Sequence, residues 1–316
     1  MIDLTEIQKA AKRLKGKIHH SPLLSSRILG QRVGVQLFLK CECFQKTGSF
    51  KPRGALNKVL SLTTQELEKG LITVSAGNHA QAVAWAAQQV KAPCAVVMPT
   101  DAPRSKIDAV EGYGAEVITH PDRPTLFDKL NDEKEKRGST FVHPFDDPVV
   151  LAGAGTAGLE IIEDFPDVDV VIVPVGGGGL LGGVTSAVKG LKPKVKVVAV
   201  ELEAGPGLGP ALQAGKPIHV DRPETLADGM TPPFVGALPL EIARDAVDEI
   251  ITVTENEMIE TMKLLLTRCK IYAEASGAAA TAALLNGKVK VSAGSRVVTL
   301  VSGGNVDLDA VCAAFD

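Results

Sequence analysis

From residue 70 onward, short apolar runs alternate with alanine-rich runs of helical period, and this alternation restricts the fold more than any other feature of the chain. Residues 70–75, 95–98 and 116–118 read as strands, with helices at 79–90, 104–113 and 125–136 between and after them. After Pro148 the pattern resumes. Helices are predicted at 153–163, 180–190, near 238–246, 255–267 and 274–286, and strands at 169–174, 195–200, 250–253 and 296–301. Strands separated by helices imply parallel sheets. Several of the strands are almost wholly apolar, such as Val170-Val171-Ile172-Val173, as a sheet covered on both faces requires. The fold class is therefore α/β with mostly parallel, doubly wound sheets.

The first seventy residues lead into this pattern. Asp3 and Glu6 form a capping-box signature, and Leu4, Ile7, Ala10, Ala11 and Leu14 follow at helical spacing up to Gly16. A loop around Pro22, a short helix from Ser25 and a strand over 35–40 come next. If that strand continues, Cys41 and Cys43 share one of its faces. A helix over 53–60 follows, with Pro52 suited to its first turn. The stretch 203–239, rich in Gly and Pro, is the one long irregular segment.

At 316 residues the chain is long enough for about two domains. Apolar residues at 45% and charged residues at 22% exclude a largely disordered protein. A net charge of −3 with dispersed Lys and Arg gives no basic footprint for nucleic acid. No apolar run approaches the roughly 18 residues of a membrane span, and no signal peptide is evident, so a cytoplasmic protein is expected. The five cysteines are odd in number and form no CxxC pair, which argues against a disulfide framework and a zinc site.

Four strand-to-helix corners carry the chemistry. Lys51 lies in Lys46-Thr47-Gly48-Ser49-Phe50-Lys51-Pro52 at the start of a helix, where the positive end of the dipole favours a neutral amine, the form that attacks a carbonyl. Taken alone, it reads as a solvent-facing lysine at a turn. Gly176-Gly177-Gly178-Gly179-Leu180 follows an apolar strand and opens a helix, so its N–H groups can cradle a phosphate. Gly177, Gly179 and Gly182 also match a dinucleotide fingerprint, with Glu201 placed to meet a ribose hydroxyl, and a nicotinamide oxidoreductase stays open on these residues. Ser75-Ala76-Gly77-Asn78-His79-Ala80-Gln81 offers polar side chains and amides at a helix start, a receptor for a carboxylate. Ser302-Gly303-Gly304-Asn305 ends the last strand. Ligands gather at strand C-terminal ends in open α/β sheets, so the corners near 51, 75, 176 and 302 can converge on one crevice.

Taken together and in this order, the four motifs resemble those of the pyridoxal-phosphate enzymes of the serine/threonine dehydratase and serine racemase family, fold type II, over nearly the whole chain. The resemblance implies pyridoxal 5′-phosphate in a cleft between two open-sheet domains, a large one from 1–69 and 147–316 and a small one from 70–146 that closes over the substrate. It implies Lys51 as the Schiff-base lysine and base, Phe50 against the cofactor ring, and Asn78 facing the phenolic oxygen. Gly176, Gly177, Gly178, Gly179 and Leu180 would hold the phosphate, Ser302 would face the pyridine nitrogen, and Glu274 would lie near the cofactor. Ser75, Ala76, Asn78 and His79 would meet the amino-acid substrate, whose carboxylate Ser75, Asn78 and His79 bind, and Asp228 and Gly229 would lie beside it. A homodimer acting on a small amino acid is implied, with no nucleic-acid or membrane partner.

The expected reaction is β-elimination from L-threonine or L-serine to a 2-oxo acid and ammonia. Related activities, serine racemisation or dehydration of 3-hydroxyaspartate, would meet the same cofactor-facing residues. Family racemases carry a serine where this chain has Ala76, so little racemisation is expected. Glu201 matches a family carboxylate that binds a divalent ion, but Gly205 and Gly207 follow where further ligands would stand, and no strong metal site is expected. The short tail after Asn305 leaves no room for a regulatory domain, so isoleucine feedback is not expected. Substrate side-chain choice is expected in 203–239 and around His143-Pro144-Phe145-Asp146.

Overall fold

The computed structural model describes residues 1–221 and 223–315. Among these residues, ten strands form two sheets. They are β1 (Leu23–Ser25), β2 (Gln36–Cys41), β3 (Leu71–Val74), β4 (Cys94–Pro99), β5 (Glu116–His120), β6 (Thr140–Phe141), β7 (Val170–Pro174), β8 (Lys196–Leu202), β9 (Glu249–Val253) and β10 (Arg296–Val301). The larger sheet has the order β1-β2-β10-β7-β8-β9, and the smaller β5-β4-β3-β6. Every pairing is parallel except that of β1 with β2 at one edge.

The apolar strands are buried on both faces, as their composition requires. Along β7, Val170 and Ile172 face one hydrophobic cluster while Val171 and Val173 face the other; along β8, Val198 and Val200 alternate with Val197 and Ala199. The smaller sheet repeats the pattern, with Val96 and Met98 of β4 on one side and Ala95 and Val97 on the other.

Helices cover these faces. The first seven are α1 (Leu4–Leu14), α2 (Arg27–Val33), α3 (Lys51–Val59), α4 (Thr64–Lys69), α5 (Asn78–Val90), α6 (Arg104–Gly112) and α7 (Leu126–Arg137). The others are α8 (Pro148–Asp164), α9 (Gly179–Leu191), α10 (Leu208–Ala214), α11 (Ala237–Ala246), α12 (Glu255–Leu264), α13 (Ala275–Leu285) and α14 (Leu308–Phe315). Helix α13 is apolar almost all round and is correspondingly buried from Ala275 to Leu284. Helix α3 packs against both α8 and α5, so it joins the helices of the two sheets.

Local chemistry moves several boundaries. Ser25 ends β1 instead of opening a helix, because Leu23–Ser25 pairs with Phe38–Lys40. The helix expected from residue 153 begins at Pro148, since Asp147 caps it by accepting from Val149 and Val150 and Pro148 needs no hydrogen bond in the first turn. Strand β2 ends at Cys41, and Cys43 falls in the 3-10 turn Glu42–Phe44, so the two cysteines do not share a strand face. Residues 203–239 contain α10 and the 3-10 turn Asp228–Met230. Helix α12 passes into a π-helical turn over Leu265–Cys269. Helices α4, α10 and α14 and strands β1 and β6 are too short to show a period.

Candidate active site

Ser75, Gly176 and Ser302 lie just beyond the C-terminal ends of the parallel strands β3, β7 and β10, and Lys51 lies ten residues beyond the end of β2. The chain reaches Lys51 through two 3-10 turns, Glu42–Phe44 and Lys46–Gly48. Thr47 in the second has φ 57°, a conformation a β-branched residue rarely adopts. Asn305 Nδ2 donates to its carbonyl at 2.6 Å. Ser49 bridges to Gly303, and the Phe50 N–H donates to the Ser302 carbonyl at 3.0 Å, so the first and last corners are stitched together.

Lys51 opens α3, whose start is anchored from beneath. Arg53 is fully buried and reaches Glu42 and Glu160, each at 2.7 Å, while the buried Lys40 pairs with Glu160 at 2.6 Å. Lys51 Nζ donates to the Pro144 carbonyl at 2.9 Å and lies 5.0 Å from the centre of the Phe50 ring. Enclosure of the ammonium pulls its pKa down to about 8, against the opposing charge of Glu274. Among lysines this is the property that makes a nucleophile and a base near neutral pH.

Glu274, buried at the start of α13, is the electrostatic counterpart. Burial raises its pKa to about 8, and the charge of Asp228 adds to this. Asn78 Nδ2 donates to Glu274 Oε1 at 2.7 Å, and Asn78 Oδ1 accepts from Asn305 at 2.7 Å. Ser302 is buried, its hydroxyl donating to the Ser276 carbonyl at 3.4 Å.

The glycine loop joins β7 to α9. Gly178 has φ 89°, the left-handed region that favours glycine, and a Cβ on Gly177 would fall 2.2 Å from the Phe145 ring. Among the described residues, no backbone or side-chain acceptor meets the N–H groups from Gly176 to Leu180. A run of unpartnered donors at a helix N-terminus fits a phosphate, so the residues present suit a phosphorylated cofactor.

At the third corner, the Ser75 hydroxyl accepts from the Gly77 N–H at 3.1 Å, and Ala76 packs against the apolar cluster of the smaller sheet. The N–H groups of Asn78, His79 and Ala80 have no acceptor among the described residues. The His79 imidazole is buried, with Nε2 donating to the Val142 carbonyl at 2.9 Å, so at the corner itself this residue offers its backbone N–H. Burial, then the Lys51 charge, holds it well below the usual histidine range.

Asp228 and Gly229 enter from the 203–239 segment. Gly229 packs on Ser276 and, through its carbonyl, on Gly176. Lys106 of α6 forms an ion pair with Asp228, and the Ser105 hydroxyl donates to Asp307 at 3.0 Å, so α6 crosses from the smaller sheet to the larger at the mouth of the site. No local pattern in the sequence marks Lys106. Asn305 belongs to a recognisable motif, but its double role with Thr47 and Asn78 is visible only in three dimensions.

The dinucleotide reading loses its acidic ribose ligand. The buried Glu201 carboxylate caps α10, accepting from Gly207 at 2.7 Å, Gly209 at 2.9 Å and Leu208.

Comparison with known proteins agrees with this geometry. Residues 14–303 match the family described as pyridoxal-phosphate dependent enzyme. The chain is 44% identical to an L-threonine ammonia-lyase of Thermotoga maritima, over 98% of this chain and 77% of that protein. It is 42% identical to the catabolic L-threonine dehydratase of Escherichia coli K12, over 98% of this chain and 95% of that one. The structure of maize serine racemase superposes with a TM-score of 0.94 at 36% identity, covering 99% of this chain and 96% of the other. With its four motifs, its unpartnered loop donors and a match across most of its length, the chain belongs to the pyridoxal-phosphate-dependent enzyme family.

Proposed function

We propose that this enzyme is a lyase that converts L-threonine or L-serine to a 2-oxo acid and ammonia by β-elimination. The observation that carries the reading is Lys51, an enclosed amine with its pKa lowered to about 8, whose Nζ donates to the Pro144 carbonyl next to Phe145, the residue packed on the glycine loop. Pyridoxal phosphate, when bound, supplies the electron sink that makes the α-proton of an amino acid acidic.

The chain's own residues do the rest. The N–H groups from Gly176 to Leu180 would hold the phosphate, and Phe50 would pack on the ring. Ser75 and the N–H groups of Asn78 and His79 receive the substrate carboxylate. Neutral Lys51 takes the α-proton, held at the Pro144 carbonyl on one face of the substrate. In net terms the α-proton and the β-hydroxyl leave as one water, and the dehydrated amino acid then takes up a water to give the 2-oxo acid and ammonia. Ser302 would face the pyridine nitrogen with a hydroxyl, which would not keep that nitrogen protonated as a carboxylate would, and this favours elimination over transamination. Ala76 offers no proton on the opposite face, which supports elimination over racemisation.

We assign residues 70–146 to the part that closes over the substrate and 1–69 with 147–316 to the part that holds the cofactor. A cytoplasmic homodimer follows from the family resemblance, and the free cysteines suit a reducing compartment. Among the described residues no helix is long and apolar enough to cross a membrane.

The test is direct. The purified protein is expected to carry a visible absorption band that borohydride bleaches, and to release ammonia and 2-oxo acid from L-threonine or L-serine. Lys51→Ala abolishes turnover. A colourless protein that takes up NADH overturns the assignment.

A further inference from the structure

The turn at residues 143–147 is attached to the site at four places. The Pro144 carbonyl receives Lys51 Nζ at 2.9 Å. Phe145 packs directly on Gly177 and Gly179 and meets Phe234 edge-on at 5.4 Å. The Asp146 carboxylate accepts from the N–H groups of Ala237 and Leu238, each at 3.0 Å, at the start of α11. Asp147 caps α8 and pairs with Lys58 of α3 at 2.6 Å. Lysine, glycine loop and two helices are thus fixed relative to one another by a few consecutive residues.

That turn is held from within by one atom. His143 Nδ1 accepts from the N–H of Phe145 at 3.2 Å and from the N–H of Asp146 at 2.9 Å, and its ring meets Phe145 edge-on at 4.8 Å. Both donors are backbone amides, so Nδ1 must be the bare nitrogen of a neutral imidazole with its proton on Nε2.

We propose that His143 is a positioning residue, whose unprotonated Nδ1 shapes the 143–147 turn and thereby sets the Pro144 carbonyl against Lys51 and Phe145 against the glycine loop. The proposal rests on reading Lys51 as the reacting lysine, and it adds a residue that acts only through others. The groups around the imidazole are consistent with a neutral state. Burial lowers its pKa first, and Lys51 lowers it further; Asp146 and Asp147 of the turn oppose this, and the neighbouring His79 is itself held neutral. As pH falls through the lowered value, a proton on Nδ1 displaces both amides and the turn loosens.

Asparagine provides the test, because its Oδ1 occupies the place of histidine Nδ1 along the side chain and accepts the same two amides in an Asx turn. His143→Ala should lower kcat by about 10- to 100-fold, the scale on which a small displacement of a reacting group acts, with KM changed far less. His143→Asn should recover to within about threefold of the parent, since the acceptor is restored. Protection of the Phe145 and Asp146 amides should fall in the parent as pH drops through the lowered His143 value and persist in His143→Asn, because an amide does not titrate.

A second readout does not depend on turnover. In the cofactor-free protein, the amides of Phe145 and Asp146 should exchange slowly with deuterium in the parent and in His143→Asn, and rapidly in His143→Ala. Unchanged exchange in His143→Ala, an asparagine variant as impaired as the alanine one, or amide protection with the same pH dependence in the parent and His143→Asn would overturn the proposal. Turnover that survives Lys51→Ala would instead overturn the assignment of Lys51 and leave the exchange result standing.

Discussion

The side-chain amide of Asn78, at the end of the smaller sheet, donates to the carboxylate of Glu274, at the start of α13 under the larger one, at 2.7 Å. This bond closes the site across the two sheets, and it does so with a carboxyl group whose pKa burial has raised from 4.5 to about 8.

A pH dependence of stability follows. Between about pH 4.5 and 8 the folded protein keeps a proton on Glu274 that the unfolded chain releases, so this group makes stability fall as pH rises through that window. Lys51 contributes no slope there, because it is protonated in both states up to about pH 8. Above that value the folded state loses its proton first, and stability recovers toward the unfolded pKa of 10.5. Glu274→Gln removes the first effect. Denaturant midpoints of cofactor-free protein, measured from pH 5 to 8, should therefore decline less in the variant than in the parent, and parallel declines would refute the assignment.

Arg53 carries a second prediction. Its guanidinium is fully buried between Glu42 and Glu160, two positions beyond Lys51 in the same helix. Removing one member of a buried ionic cluster leaves the others uncompensated and costs on the order of 3–5 kcal/mol. Arg53→Leu should be destabilised on this scale in equilibrium denaturation. Arg53→Lys should fall between it and the parent, since one ammonium cannot reproduce the forked contacts to both carboxylates. A leucine variant as stable as the parent would show that the cluster does not anchor α3.

Much of this architecture was readable because each strand states its own environment. Val170-Val171-Ile172-Val173 has no polar face, and such a run has to lie inside a covered sheet; the corner that follows it is then placed at a strand C-terminus without further information. The corners near 51, 75, 176 and 302 were legible for this reason. The Pro144 carbonyl on Lys51 and the ion pair of Lys106 with Asp228 were not, since each joins residues about a hundred positions apart and neither leaves a local pattern. The imidazole of His79 illustrates the other gap. Its place in the motif marks a site, but only the packing beneath β6 shows that the ring turns inward to Val142.

The contact of Phe145 with the glycine loop predicts a coupled pair. A methyl group on Gly177 would stand 2.2 Å from the Phe145 ring, far inside contact distance, so Gly177→Ala displaces either the ring or the loop. Cofactor affinity should fall, measured as the dissociation constant from absorbance titration. Phe145→Ala removes the clash, and the double variant should bind the cofactor more tightly than the sum of the single losses allows. Such coupling is typically about 0.5–3 kcal/mol for residues in contact. Additive losses would mean that the loop does not rest on Phe145.

Ala76 supports the prediction most specific to the reaction. It follows Ser75, half-buried and packed on the smaller sheet's apolar cluster, and its side chain has no exchangeable proton. Elimination needs a base on only one face of the α-carbon, the role proposed for Lys51, whereas racemisation needs a proton delivered to the opposite face as well. L-serine should therefore give 2-oxo acid and ammonia with little D-serine. Ala76→Ser places a hydroxyl at this position with the addition of a single oxygen, and it should raise the ratio of D-serine to 2-oxo acid by about tenfold or more, the lower part of the range for a positioned acid or base being about a hundredfold. Chiral chromatography of the products, alongside an assay for the 2-oxo acid, measures both. If the parent forms D-serine as fast as 2-oxo acid, the proton comes from another group and the role assigned to residue 76 fails.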